Sequence, residues 1–145
     1  MSSPELLSRQ GHHLLQVGVA LLLFTSFEGF VIPYLAAPRV GLSAHTLGGL
    51  QGVLLLALGL VWPRLKVRPP TSRIAFCFLI YSALAILAAY VMGSVWGAGN
   101  GTMPMAAGAA HGSAFQEAAI KAVAYSSAPT GIISFLLVLW GLRGE

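Results

Sequence analysis

Four long apolar spans, almost free of ionisable side chains, constrain this chain more than any other feature. They cover residues 13–35, 44–62, 74–95 and 115–142. Each is long enough, or nearly so, for a helix to cross a hydrocarbon layer of ~30 Å. A helix satisfies its own backbone N–H and C=O groups, which is what lipid demands. The charged fraction is 8% and the hydrophobic fraction 57%, far from the ~25% charged residues of an ordinary water-soluble domain. No alternating ten-residue pattern suits a membrane β-barrel. The expected fold is therefore an all-α integral membrane protein, a single four-transmembrane-helix bundle over residues 1–145.

The charges orient it. Arg64, Lys66, Arg68 and Arg73 fall between spans two and three, Arg9 precedes span one and Arg143 follows span four. The segment between spans one and two holds only Arg39, and that between spans three and four holds no Lys or Arg. Basic residues mark the cytoplasmic side, so both termini are expected to be cytoplasmic. The lead before span one lacks the n-region and cleavage site of a signal peptide, and span one is expected to be retained. A single cysteine, Cys77, excludes an internal disulfide and a Cys-cluster metal site. Its place in span three predicts a packed, inert thiol.

Breakers divide the spans. Pro33 ends or kinks the first, and Pro38 with Gly41 marks a short loop over 36–43. Ser43 is expected to cap the second helix. Pro63 stops that helix, with Trp62 as an interfacial anchor. Residues 64–73, with Pro69 and Pro70, read as a basic surface loop. The stretch 97–113 is rich in Gly, Ala and Met and contains Pro104. It is too broken to cross a membrane and too apolar for an ordinary loop, which predicts a structured cap over the outer mouth. Pro129 is expected to kink the last span.

Polar groups at lipid depth are costly without a partner and become functional candidates. Span two carries the most specific pattern. His45, Gly48, Gly49, Gly52 and Leu56 fall within about a third of the helix circumference. One reading is helix packing, since Gly48 and Gly52 form a GxxxG pair and His45 then makes an interhelical hydrogen bond. The other is a flat cofactor against bare backbone, with His45 as its axial metal ligand. Glu28 must pair across helices, be protonated or face a polar cavity. Glu117 and Lys121 have the favourable i,i+4 order for a local salt bridge. Ser82 and Tyr90 lie ~80° apart on span three and can share a cavity, whereas Gln51 sits about 120° round the helix from His45. Tyr81 and Tyr90 also fit an interfacial belt. His12 and His13 read as residues at the wet edge. His111 has general acid/base chemistry, with solvation in the loop as the plainer reading. Aspartate is absent, and there is no phosphate loop, HExxH or GxSxG motif.

Several stretches together resemble the hydroxylaminobenzene mutase family: Arg9-Gln-Gly-His-His-Leu-Leu, Pro38-Arg-Val-Gly-Leu-Ser-Ala-His45, Gly49-Leu-Gln-Gly, Leu60-Val-Trp-Pro-Arg, Trp96-Gly-Ala-Gly, Met103-Pro-Met, Gln116-Glu-Ala and Leu139-Trp-Gly-Leu-Arg. They run in order from about residue 9 to residue 143. The resemblance implies a small membrane enzyme of the bacterial inner membrane, multi-pass, that rearranges hydroxylaminobenzene to 2-aminophenol. More distantly the pattern is similar to styrene oxide isomerase. That similarity implies a homotrimer with ferric haem b at subunit interfaces, used as a Lewis acid. It places the axial histidine at His45 in Ala44-His45-Thr46, a polar residue at Gln51 (asparagine in that family), Ser82 where that family has aspartate, and a tyrosine at Tyr90. The two departures argue against epoxide isomerisation. The expectation is thus a mutase with haem iron on His45 against Gly48, Gly49 and Gly52, with Tyr90, Gln51, Ser82 and Glu28 as catalytic candidates. A small aromatic substrate is its partner, and nucleic acid is not. Open alternatives are a haem-dependent aryl epoxide isomerase, a haem-free mutase using Glu28 or His111 as acid, and a non-enzymatic transporter or electron-carrier subunit.

Overall fold

The computed structural model describes residues 3–143. Among them are four long helices, α1 (Ser3–Val31), α2 (Pro38–Val61), α3 (Pro69–Trp96) and α5 (Ala114–Leu142), and one short turn of helix, α4 (Pro104–Ala107). All four long helices are long and apolar enough to cross a membrane. The shortest, α2, has 24 residues, or ~36 Å at 1.5 Å per residue.

Prolines set the helix starts, and here the structure departs from the sequence reading. Pro38, expected to break the chain, occupies the first turn of α2, where its missing N–H costs nothing. The loop expected over 36–43 is therefore mostly helix. Ser43 does not cap α2; its hydroxyl donates to the Arg39 carbonyl one turn back, at 3.1 Å. Pro69 likewise opens α3, so the basic loop is shorter than 64–73. Pro33 and Pro63 lie in 3-10 turns that end α1 and α2, as expected. The helical assignment of α5 runs unbroken through Pro129.

The bundle is two antiparallel pairs, α1 on α2 and α3 on α5, joined by α2 against α3. The buried positions of α1 follow a four-three rhythm: Leu7, Gly11, Leu14, Gly18, Leu21, Thr25. Those of α5 do the same from Ile120 through Ser127 and Ser134 to Gly141. This is the seam of a left-handed helix pair. Small residues bring α1 and α2 almost backbone to backbone. A Cβ on Gly18 would lie 2.9 Å from the Gly52 carbonyl oxygen, and one on Gly48 would lie 2.5 Å from the Thr25 methyl. The bare backbone at Gly48 and Gly52 is thus covered by α1 of the same subunit.

At the end of the bundle nearer the chain termini, Trp62 is fully buried. Its indole N–H donates to Gln10 Oε1 at 3.1 Å, and the Ser72 hydroxyl donates to the same oxygen. Trp62 is thus a core residue and not the interfacial anchor expected. Gln10, 5% exposed, ties α1, α2 and α3 together. Cys77, expected to be packed, is exposed.

The cap exists. Residues 97–113 fold over the opposite end, with Ala98, Met103 and Ala107 buried against α2, α3 and α5. Glu117 organises it. Oε1 accepts from the backbone N–H of Gly99 at 2.8 Å and Gly112 at 3.0 Å, and Oε2 from that of Gly101 at 3.1 Å. The salt bridge expected with Lys121 is not made. Lys121 Nζ lies 5.6 Å from the Tyr125 ring centre, while Glu117 takes the three amides, whose donors are fixed in place.

Candidate active site

The four-three rhythm of α1 continues from Thr25 to Glu28. There it meets the first turns of α2. His45 Nδ1 and Glu28 Oε2 are 3.2 Å apart, the single ion pair among the described residues. The Glu28 side chain is 10% exposed and that of His45 39%. Where Glu28 is ionised, Oε2 is the acceptor, Nδ1 carries the proton and Nε2 is the basic nitrogen; a protonated Glu28 would reverse the tautomer. Among the described residues His45 makes no other hydrogen bond. The second oxygen of Glu28, Oε1, is buried without a partner. Gly29 lets the ring come this close, because a Cβ there would lie 3.2 Å from His45 Cε1. Gly49, one turn beyond His45, has nothing within 4 Å of where its Cβ would be.

The helix-packing reading of span two is the one the structure bears out. Gly48 and Gly52 serve helix packing, and His45 makes the interhelical bond. Only Gly49 keeps open space beside the imidazole. Among the described residues no three His, Cys, Asp or Glu side chains converge. This arrangement suits a metal carried in a macrocycle with one protein donor. A half-exposed imidazole, held by its far nitrogen and flanked by open space, fits that group.

Between α1 and α3 runs an apolar groove of about 310 Å³, lined by Phe24, Phe27, Val31, Leu35 and Val91, with Glu28 as its one ionisable neighbour. The other candidates lie elsewhere. Tyr90 walls two grooves with Ser43, one of them also lined by Leu47 and Leu50. Those α2 residues lie roughly 140° or more round the helix from His45. Tyr90 and His45 are thus on opposite flanks of one subunit. Gln51 is half-buried and makes no side-chain hydrogen bond among the described residues. Ser82 is in the α3–α5 seam, where its hydroxyl donates to the Ser127 carbonyl at 2.8 Å. The structure brings together His45, Glu28 and Gly49 and separates them from Tyr90 and Ser82. His12, His13 and His111 are exposed.

Gly29 escaped the sequence reading, though a signal was present. Gly11 to Gly18 is a step of seven on α1, and Gly59 to Gly52 is the matching step back on α2. One more step on each reaches Thr25 and His45, within a turn of Glu28 and Gly29.

Four membrane-length helices with a part-buried carboxylate–imidazole pair at the cap end of the bundle define a polytopic membrane protein, and sequence comparison supplies its class. The model of the styrene oxide isomerase family matches residues 10–143; the chain belongs to that family and is an enzyme of the isomerase and mutase type. It is also 44% identical to hydroxylaminobenzene mutase HabB of Ectopseudomonas oleovorans over 130 residues, covering 90% of this chain and 79% of that protein. Hydroxylaminobenzene mutase HabA of the same organism is 28% identical, covering 90% of this chain and 96% of its own. No solved structure matches.

Proposed function

We propose that this protein rearranges an aromatic hydroxylamine to an aminophenol, hydroxylaminobenzene to 2-aminophenol, using ferric haem b carried on His45. The observation that carries the reading is the anchored imidazole, with Nδ1 on Glu28 and open space at Gly49. The 44% identity to a hydroxylaminobenzene mutase supports the substrate. The reaction is balanced within one molecule: hydroxyl leaves nitrogen, hydroxyl arrives at the ortho ring carbon, and the ring proton passes to nitrogen. No reductant is consumed.

Haem iron supplies a Lewis acid that weakens the N–O bond. The protein's own residues do the rest. His45 would hold the group through Nε2, with Glu28 accepting from Nδ1. Phe24, Phe27 and Val31 offer the aryl ring an apolar seat and exclude water that would capture a ring cation. Tyr90 and Gln51 orient the polar head. Because Tyr90 lies on the flank opposite His45, it reaches the site from a neighbouring subunit. A surface whose two halves lie on opposite flanks assembles head to tail, and where the rotation closes it forms a ring, the arrangement a homotrimer uses. Ser82, engaged in the α3–α5 seam, has no part in this scheme. The enzyme sits in the bacterial inner membrane with both termini cytoplasmic, by the charge asymmetry of its loops.

Membranes carrying the protein should form 2-aminophenol from hydroxylaminobenzene anaerobically, without NADH or ATP. His45→Ala should remove the Soret band and the activity together while keeping helical content; His12→Ala, His13→Ala and His111→Ala should keep both. A colourless but active wild type would replace haem with acid catalysis. Turnover of styrene oxide alone would assign the second reading, aryl epoxide isomerisation, which the family's name favours.

A further inference from the structure

We propose that Glu28 and Gly29 form a positioning cradle on α1 that fixes the tautomer and rotation of His45, so that Nε2 is presented as the donor nitrogen. This rests on His45 being the metal ligand of the function proposed above. It assigns Glu28 a role other than acid catalysis.

Two facts point to it. Glu28 is a carboxyl group at membrane depth whose one hydrogen bond among the described residues is to His45 Nδ1. Its other oxygen is buried and unpartnered. Burying a carboxyl with one oxygen unpartnered is costly, and the contact with His45 is the one that offsets it among the described residues. A general acid must also reach its substrate within hydrogen-bond distance. Oε2 is engaged by the imidazole and Oε1 is buried without a partner, so the contact that Glu28 makes in this structure is with His45.

The second half of the cradle is steric. At Gly29 a side chain would lie 3.2 Å from His45 Cε1 and 3.5 Å from Nδ1. Any larger residue there pushes the ring off the carboxylate by a few tenths of an ångström. Glu28 and Gly29 are adjacent on α1, one setting the hydrogen bond and the other the approach. A carboxylate behind a ligating imidazole fixes which nitrogen is basic and strengthens it as a donor, and loss of such a partner lowers metal affinity 10–100-fold.

The test uses full-length protein in detergent with ¹⁵N-labelled histidine, first without added hemin. His45 should report the Nδ1–H tautomer in the wild type and in E28Q, whose amide oxygen still accepts, and should shift toward Nε2–H in E28L. Hemin added afterwards should dissociate ~10–100-fold faster from E28L, and faster from G29A than from wild type, with helical content unchanged. A wild-type His45 in the Nε2–H form overturns the cradle whether or not hemin binds. So does an E28L protein with wild-type tautomer and hemin release. If the tautomer behaves as expected but H45A holds hemin as firmly as wild type, the cradle stands and the metal-ligand assignment falls.

Discussion

The α1–α2 and α3–α5 seams follow the same four-three spacing yet use their polar atoms in opposite ways. In α3–α5, hydroxyls find nearby partners: Ser82 on the Ser127 carbonyl, Ser134 on the Ala75 carbonyl at 2.8 Å, Tyr81 with Ser126 at 2.7 Å. The hydroxyls cluster near Pro129, where a transmembrane helix lacks one backbone donor and neighbours restore the balance. In α1–α2 the contact is glycine against glycine, with almost no side-chain polarity until Glu28 and His45. There a carboxyl oxygen is left without a partner and an imidazole nitrogen is left unbonded. Both seams hold helices together. Polar capacity left over, more than polarity itself, distinguishes the α1–α2 seam and is why the proposed site is placed there.

The largest effect that tests this contrast should come from mixing subunits. His45→Ala and Tyr90→Phe should each be nearly inactive alone. Coexpressed, they should regain activity, since random mixing leaves about one head-to-tail interface in four with both residues. No recovery, in mixed particles shown to form, would place the two residues in one subunit's site or outside it. Next in size is Gly52→Leu. Its side chain would strike the Gly18 carbonyl oxygen and Leu22, and overpacking of this kind costs about 1–3 kcal/mol. Thermal unfolding in detergent should show it. Gly49→Ala should instead raise stability by about 0.4–1 kcal/mol, because its Cβ meets nothing and alanine favours the helix. The smallest loss belongs to Ser82→Ala, about 0.6 kcal/mol of stability with mutase activity kept. A large activity loss there would move the α3–α5 seam into the catalytic class. The topology has its own check. In a Cys77→Ser background, cysteines placed at Lys66 and Asn100 should label from opposite faces of the membrane.

The spans were readable because lipid imposes one demand on every residue in them, and a run of apolar side chains meets it locally. The cap was readable for the converse reason, since 97–113 satisfies neither water nor lipid. What sequence could not settle were matters of direction and partner. Pro38 read as a breaker because proline both ends and begins helices, and only the chain geometry on either side decides. Trp62 read as an interfacial residue because its indole N–H must find an acceptor, and Gln10, 52 residues away, was not visible as that acceptor. His45 was singled out correctly as a residue in need of a partner. That Glu28 takes one of its nitrogens is a tertiary fact, written only in the matched glycine steps of two antiparallel helices. Ser82 was placed with Tyr90 by angle and by resemblance, and neither says which neighbour a face meets; Ser82 meets the Ser127 carbonyl.

The grip of Glu117 on Gly99, Gly101 and Gly112 has a consequence in chain statistics. It joins residue 99 to residue 117 and so closes a loop, as a covalent crosslink would. Closing a segment of this length removes an entropy that grows only with the logarithm of the number of residues enclosed. A protein with one cysteine cannot make that closure with sulfur, and here one carboxylate makes it with three amides. Unlike a disulfide, the closure needs no oxidant and re-forms as soon as the amides return. The cap is thereby tied to the first turn of α5.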